Sequence, residues 1–335
     1  FPSSLIQLVL FFWFIQIFTD IQNKKESNDL IFIVFILAIT AITIKLSNFV
    51  FAMTLLSICL LHSLKFIKQK IFTGKFTRSI LLSLVIFFVW VIRGIYLSGY
   101  PVYPIAIGKL SVDWAIPTNA VQSEADWIYS WARMPGHYPN EVLGNWNWFH
   151  PWLNALYKYY KTTVIYPTLL AIGLGLLAVV LAFFQKKLRL LYEDFILFIP
   201  SLAGILFWFF TAPDPRFANA LFFLLLLTAI LVFTPLFYDL IGPLPGILVI
   251  ESIFVIAIFL LFQARYPNIK SDFTVKYKPI QTVSLVEKKT DSGLIVYSPA
   301  EGDQCWDSPL LCTPNFNSRL KLRIPGRIES GFTVK

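Results

Sequence analysis

The chain has 335 residues, of which 57% are apolar and 14% charged; with a mean hydropathy of +0.68 this excludes an array of soluble domains and defines a polytopic membrane protein. The formal charge of +9 does not mark a nucleic-acid binder, because the basic residues lie between apolar runs and in the tail instead of forming one dense patch. Phe1 is followed by Pro-Ser-Ser and an apolar run with no charged n-region, so further chain is expected upstream.

The first apolar run covers residues 5–19 and is short for a membrane span. Residues 30–64 are too long for one span at about 1.5 Å per residue against a core of about 30 Å, and they divide at Lys45-Leu46-Ser47-Asn48 into two helices. A basic connection with Lys65, Lys68, Lys70, Lys75 and Arg78 leads to the fourth span, residues 79–97, which carries Arg93 about one turn from its far end, where it snorkels to the interface or faces a polar cavity. Residues 98–163 are polar and hold six of the ten Trp, and four more spans follow at residues 164–184, 195–211, 217–233 and 244–262. Residues 263–335 are again polar, with strand patterns at 273–277, 283–287 and 294–298, the last two joined as a hairpin through Asp291-Ser292-Gly293. The predicted fold is an all-α polytopic membrane protein of about eight transmembrane helices. It carries an aromatic extracytoplasmic loop and a small β-rich C-terminal extracytoplasmic region. Four segments result: helices 1–4 in residues 1–97, the loop in 98–163, helices 5–8 in 164–262 and the C-terminal domain in 263–335.

Orientation follows from Lys and Arg in the short loops. Lys24, Lys25, the Lys65 to Arg78 connection, Lys186, Lys187 and Arg189 alternate to one side, which the rule makes cytoplasmic. Lys45, the aromatic loop, Arg216 and the tail then share the extracytoplasmic face. Cys305 and Cys312, close together in a turn-rich part of that tail, suit a disulfide in an oxidising compartment such as a periplasm, with two unpaired thiols as the alternative. Cys59 lies in an apolar run.

Within the aromatic loop, Ser98-Gly99-Tyr100-Pro101 and Pro104 predict a sharp turn off the fourth span, and Thr118 or Asn119 caps a helix over residues 120–133 that ends at Pro135-Gly136. Val121, Glu124, Ile128 and Trp131 share one side of that helix. Trp114, Trp146 and Trp148, set among Asn, Asp and Arg, suit either a sugar-stacking surface or an interfacial aromatic belt. Asp113, Glu124, Asp126 and Glu141 are each able to act as a general base or to help hold a divalent cation, or to be ordinary solvated carboxylates. His137 and His150 are spaced unlike metal ligands, so no zinc site is expected.

The sharpest signal is Thr211-Ala212-Pro213-Asp214-Pro215-Arg216-Phe217, a short turn between two spans that two prolines stiffen. It holds Arg216 at the membrane surface, where a guanidinium bonds phosphate oxygens in pairs; the alternatives are an Asp214–Arg216 pair that closes the turn, or snorkelling to lipid phosphate. Arg93 and Glu251, charged residues inside spans four and eight, are expected to face the bundle interior.

Taken together, Ser98-Gly99-Tyr100-Pro101, Val112-Asp113-Trp114-Ala115-Ile116-Pro117, Trp131-Ala132-Arg133-Met134-Pro135-Gly136, Pro213-Asp214-Pro215-Arg216-Phe217 and Asp303-Gln304-Cys305-Trp306-Asp307 resemble a family of large bacterial polytopic membrane proteins without assigned function. That family is similar in layout to GT-C class glycosyltransferases and polysaccharide polymerases. The resemblance implies transfer of sugar from a polyprenyl-phosphate carrier to a glycan acceptor at the outer face of the bacterial inner membrane. On that reading Arg216 and Arg93 hold carrier phosphate, Asp113 or Glu124 serves as the catalytic carboxylate facing the acceptor, and Trp114, Trp146, Trp148 and Asp214 bind sugar. GT-C enzymes usually place a catalytic carboxylate in their first outer loop, which here would lie upstream of Phe1. No resident cofactor is implied, a divalent cation stays open, and membrane lipid is the obligatory partner. The rival expectation is a membrane subunit without catalysis that docks a protein partner through its loop and tail; a transporter would call for internal repeats, which the sequence does not display.

Overall fold

The computed structural model describes residues 2–22, 28–66, 74–189, 194–218, 220–241, 282–309 and 311–334. The predicted eighth span, Glu251 and the strand pattern at 273–277 lie outside the described residues. In chain order the helices are α1 (Pro2–Gln22), α2 (Asn28–Ile44), α3 (Phe49–Phe66), α4 (Gly74–Ser98), α5 (Thr118–Arg133), α6 (Pro139–Val142), α7 (Phe149–Tyr159), α8 (Tyr166–Phe184), α9 (Ile199–Thr211), α10 (Pro215–Ala218) and α11 (Leu221–Ile241). Among the described residues four antiparallel strands follow as β1 (Leu285–Lys289) paired with β2 (Ile295–Pro299), and β3 (Lys321–Ile324) paired with β4 (Arg327–Thr333). The chain divides into two compact units, Phe1–Val91 with Ser123–Pro267 and Ile92–Gln122 with Asn268–Lys335.

In the first unit α1, α2 and α3 pack side by side, and α9 and α11 complete their core around Phe11, Phe14, Val34, Phe51, Leu55, Leu221 and Leu224. Helix α8 lies along α11, where Ala171, Ala178 and Ala182 are buried, as small residues allow helix backbones to approach closely in lipid. Among the described residues four stretches are long and apolar enough to cross a membrane: Pro2–Asp20, Thr77–Ser98, Lys161–Phe184 and Leu221–Leu240. Leu30–Ile44, Leu46–Leu61 and Phe195–Thr211 are shorter apolar helices. The large side chains of α4, such as Leu81, Val85 and Val89, are exposed, the pattern of a surface solvated by hydrocarbon instead of water.

The first helix extends beyond its apolar run, from Pro2 to Gln22, and it carries polar groups into the bundle. Gln7 and Asn48 are fully buried. Ser3 Oγ and Gln7 Nε2 both donate to Asn48 Oδ1, at 3.1 and 2.9 Å. Asn48 Nδ2 donates to Ser3 Oγ and to the Ala41 carbonyl at 3.0 and 2.8 Å, and Gln7 Oε1 accepts the Ala220 N–H at 2.8 Å. These bonds tie α1 to the turn before α3 and to the residue before α11. The predicted division at Lys45 is a 3-10 turn, Leu46–Asn48. The seventh apolar run starts later than the expected 217, because α10 is a separate turn, and continues through Pro235 to Ile241.

In the second unit, Gly99 takes φ +81° and brings its backbone so close to Ala115 that a Cβ would sit 2.5 Å from the Ala115 Cβ, a site for Gly alone. Tyr100 is fully buried; its hydroxyl donates to the Ile116 carbonyl at 3.1 Å and lies 3.1 Å from Thr118 Oγ1. The predicted hairpin is present, with Lys289 opposite Ile295 and Leu285 opposite Pro299. A second hairpin, β3–β4, turns at Pro325-Gly326; sequence reasoning missed it although Pro-Gly is a turn signal. Cys305 and Cys312 form a disulfide, and Cys312 bridges to Tyr297 of β2. Thiol-directed maleimide should therefore label neither cysteine before reduction and both after it; labelling of the unreduced protein at either position would refute the pairing.

Candidate functional site

The site grows from the turn between α9 and α11. Helix α9 stops at Thr211 because Pro213 and Pro215 cannot supply the N–H groups a continuing helix needs. Asp214 then caps the single turn of α10: its Oδ1 accepts the Arg216 N–H at 2.8 Å, with Pro215 in the first helical position. Six backbone carbonyls around this turn are captured by side chains from elsewhere in the unit. Arg133 at the end of α5 donates through Nη2 to Phe210 O and through Nη1 to Thr211 O, at 2.9 and 2.7 Å. Trp152 Nε1 bonds Pro213 O at 2.6 Å and Trp208 Nε1 bonds Asp214 O at 2.7 Å. Lys45 Nζ reaches Arg216 O at 2.8 Å, and Ser47 Oγ reaches Phe217 O at 3.2 Å. Lys45 and Arg216, assigned to one face by the charge pattern, thus meet at one end of the first unit.

This clamp presents one guanidinium. Arg216 Nε lies 3.0 and 2.9 Å from the two Asp214 oxygens, and Nη2 lies 2.5 Å from Oδ2. Asp214 is 7% exposed, whereas the Arg216 side chain is 64% exposed. Hydrogen bonding to Asp214, followed by its charge, raises the Arg216 pKa above the ordinary arginine value. Burial lowers Lys45, against the pull of Asp214 and with the push of Arg216, and burial lowers Arg133 as well. Because the pair engages Arg216 through Nε and Nη2, its Nη1 edge has no other bond among the described residues, and the fork remains available to an anion.

Beside Arg216 is a pocket of about 220 Å³. Trp127, Ile128, Trp131 and Ala132 of α5 form one wall, and Phe217 with the Asp214–Arg216 pair forms the other. Glu124 is exposed and precedes Trp127, Ile128 and Trp131 at three, four and seven residues, on the same face of α5. The sequence puts Ile128 and Trp131 on one side of this helix without tying them to Arg216; the i, i+4 spacing of Trp127 and Trp131 ahead of Arg133 is the signal that could have joined them to the site.

The Trp residues separate into support and surface. Trp148 is 4% exposed, with Trp146 stacked on it at 5.4 Å and the Arg133 guanidinium 5.1 Å from its ring centre. Trp152 packs between Trp148, Phe209 and Trp208. Trp148, a sugar-stacking candidate, therefore already carries a ring and a cation, while Trp146 is 61% exposed. Asp214, the polar sugar-binding candidate, has both carboxylate oxygens bonded by Arg216. Glu141 Oε2 accepts the Tyr138 N–H at 3.1 Å and lies 3.3 Å from His137 Nδ1, so it closes a local turn.

In the second unit, Asp113 is gripped by Arg323 of β3, Nη1 to Oδ2 at 2.8 Å and Nη2 to Oδ1 at 3.0 Å. The same guanidinium lies 5.2 Å from the Trp114 ring centre. Arg93 is on the exposed side of α4, not turned inward. The structure thus gathers Arg216, Asp214 and the Trp127–Trp131 face in one unit, and Asp113 with Trp114 in the other. Among the described residues no three His, Cys, Asp or Glu side chains converge as metal ligands.

Apolar helices of spanning length, with the buried Gln7–Asn48 network joining them, define an α-helical membrane protein that displays a clamped arginine. The chain belongs to the family described as "Domain of unknown function (DUF8201)", matched over residues 2–223. The matched region includes Lys45, Arg133 and the Asp214–Arg216 turn and ends before the β-hairpins. No curated protein and no solved structure matches the chain.

Proposed function

We propose that this protein is a membrane glycosyltransferase or glycan polymerase that uses a polyprenyl-phosphate-linked sugar at the extracytoplasmic face of a bacterial cytoplasmic membrane. The observation that carries the reading is Arg216, an exposed guanidinium fixed by Asp214 with its Nη1 edge directed away from the pair. A leaving phosphate needs a cation already in place, and a guanidinium held by a carboxylate loses little freedom on binding it. Asp214 orients Arg216, Trp146 offers an exposed ring to a sugar face, and Glu124 is the better carboxylate for the acceptor because it shares the pocket face of α5. Asp113, forked to Arg323, anchors the β-hairpin region, and Arg93 contacts lipid headgroups from α4.

Deletion of the gene should deplete one surface glycan and build up a lipid-linked sugar, with both reversed by the wild-type chain. Normal glycan and carrier levels in the deleted strain would sink the enzyme reading. The Asp113–Arg323 fork favours a second reading, a docking subunit whose tail is locked to its loop for a protein partner. That subunit would lower glycan without accumulation of the lipid-linked sugar.

A further inference from the structure

The chain that leaves α4 folds back along the last turn of that helix. A Cβ on Gly94 would sit 2.7 Å from the Pro101 carbonyl oxygen and 3.1 Å from that of Tyr100, so backbone lies against the helix one turn before its end. A Cβ on Gly108 would meet Pro101 Cγ at 3.1 Å. Gly108 thus packs on the proline that packs on Gly94. The Leu110 N–H donates to the Gly99 carbonyl at 2.9 Å and Trp114 Nε1 to that of Ile95 at 3.4 Å, which closes the loop onto the helix. The loop is therefore held at the end of Thr77–Ser98, a stretch long and apolar enough to cross a membrane.

What this loop turns outward is apolar. Ile107 is 76% exposed, Ile105 and Leu110 are exposed as well, and so is Lys109 between them. On the adjoining turn of α4, Tyr96 and Leu97 are also exposed, so the loop borders a helix surface that meets lipid. Irregular backbone is not tolerated in hydrocarbon, where its N–H and C=O groups find no water. Its level is the headgroup zone, from which side chains reach the acyl boundary while the backbone stays hydrated. A loop standing clear of the bilayer would instead leave three large aliphatic side chains in water.

We propose that residues 105–110 are a lipid-binding wedge, with Ile105, Ile107 and Leu110 in the acyl boundary of the leaflet that the end of α4 reaches and Lys109 among its phosphates. The wedge seats the second unit on the bilayer, and it does so whether or not the protein transfers sugar. A protein partner on the same side chains would first have to displace the lipid that α4 meets there.

The test uses the full chain, one copy per phosphatidylcholine nanodisc, with Ile107→Cys carrying an NBD fluorophore. Cys59 is buried and Cys305 is paired with Cys312, so labelling without reduction leaves the wild-type chain as the background. Phosphatidylcholine with a nitroxide high on its acyl chain should quench the dye more than one with the nitroxide near the chain end. Iodide should quench it about tenfold less than NBD-cysteine in buffer, because the dye sits below the headgroups. Iodide quenching equal to that of the free dye would mean a loop in water. Protection from iodide without quenching by either lipid would mean a cover of protein, a second copy or a partner; both results overturn the proposal. Leu110→Cys is read in the same way, with thermal melting of both variants compared with wild type. A measurement on the unaltered chain stands beside them: hydroxyl radicals should oxidise Ile107 more slowly than the less exposed Ile295 of β2, 43%, and the reverse order refutes the wedge.

Discussion

Arg216→Ala is expected to lower glycan product about a hundredfold, the scale seen when one preorganised electrostatic donor is removed from a reaction site. Arg216→Lys should recover only part of this, because an ammonium cannot hold Asp214 through two parallel bonds and still present a second edge to phosphate. The substitution has a structural side effect that must be separated from chemistry. Removing the guanidinium leaves the Asp214 carboxylate, 7% exposed, without its partner, and an isolated buried charge is costly. The control is the double variant Asp214→Asn with Arg216→Gln, which removes both charges together. It should restore protein abundance in the membrane without restoring product. Normal product from either Arg216 variant at normal abundance would end the case for phosphate handling there.

Arg133→Ala should be among the most damaging changes at this turn, at about 3 kcal/mol. Charged hydrogen bonds contribute roughly 1.5–3 kcal/mol each and a cation over a ring about 0.5–2 kcal/mol, and these terms do not add fully. Arg133 makes two such bonds to the final carbonyls of α9, where the helix dipole favours a cation, and it covers Trp148. Loss of the guanidinium frees the end of α9 and with it the start of the Asp214–Arg216 turn. Thermal unfolding of the purified protein should fall by several degrees, and Arg133→Lys should recover less than half of the loss because one ammonium cannot span both carbonyls and stack. An unchanged midpoint for Arg133→Ala would show that Trp152 and Trp208 hold the turn without it.

The candidate site was half legible. Pro213 and Pro215 announce a rigid turn, and Asp-Pro-Arg is a local code whose geometry follows from neighbours two residues apart: Asp214 caps, Pro215 fits the first helical position, and Arg216 folds back on Asp214. The partners that immobilise the turn are far away in the chain. Lys45 is 171 residues from Arg216, and Arg133 is 78 from Thr211. Nothing in the local pattern around either cation identifies its acceptor, since a carbonyl acceptor belongs to every residue alike. The Trp cluster was misleading for a related reason: Trp is suited both to an interface and to a buried bond from its indole N–H. Trp152 and Trp208 use that N–H inside the unit, while Trp146 stays at the surface.

By itself the sequence determined the membrane class, the helical runs that fall in the described residues, the break at Lys45 and the β1–β2 hairpin, and it offered the Asp214–Arg216 pair as one of three readings of its turn. Each depends on composition, periodicity or neighbours within a few residues, where backbone geometry leaves few choices. Only the tertiary structure decided that Gln7 and Asn48 belong in the core, that Arg133 and Lys45 converge on one turn, and that α5 provides the apolar wall beside Arg216. The polar contacts arise because a polar group packed in lipid is costly unless the protein partners it, and which segment supplies the partner is fixed by packing between parts distant in the chain.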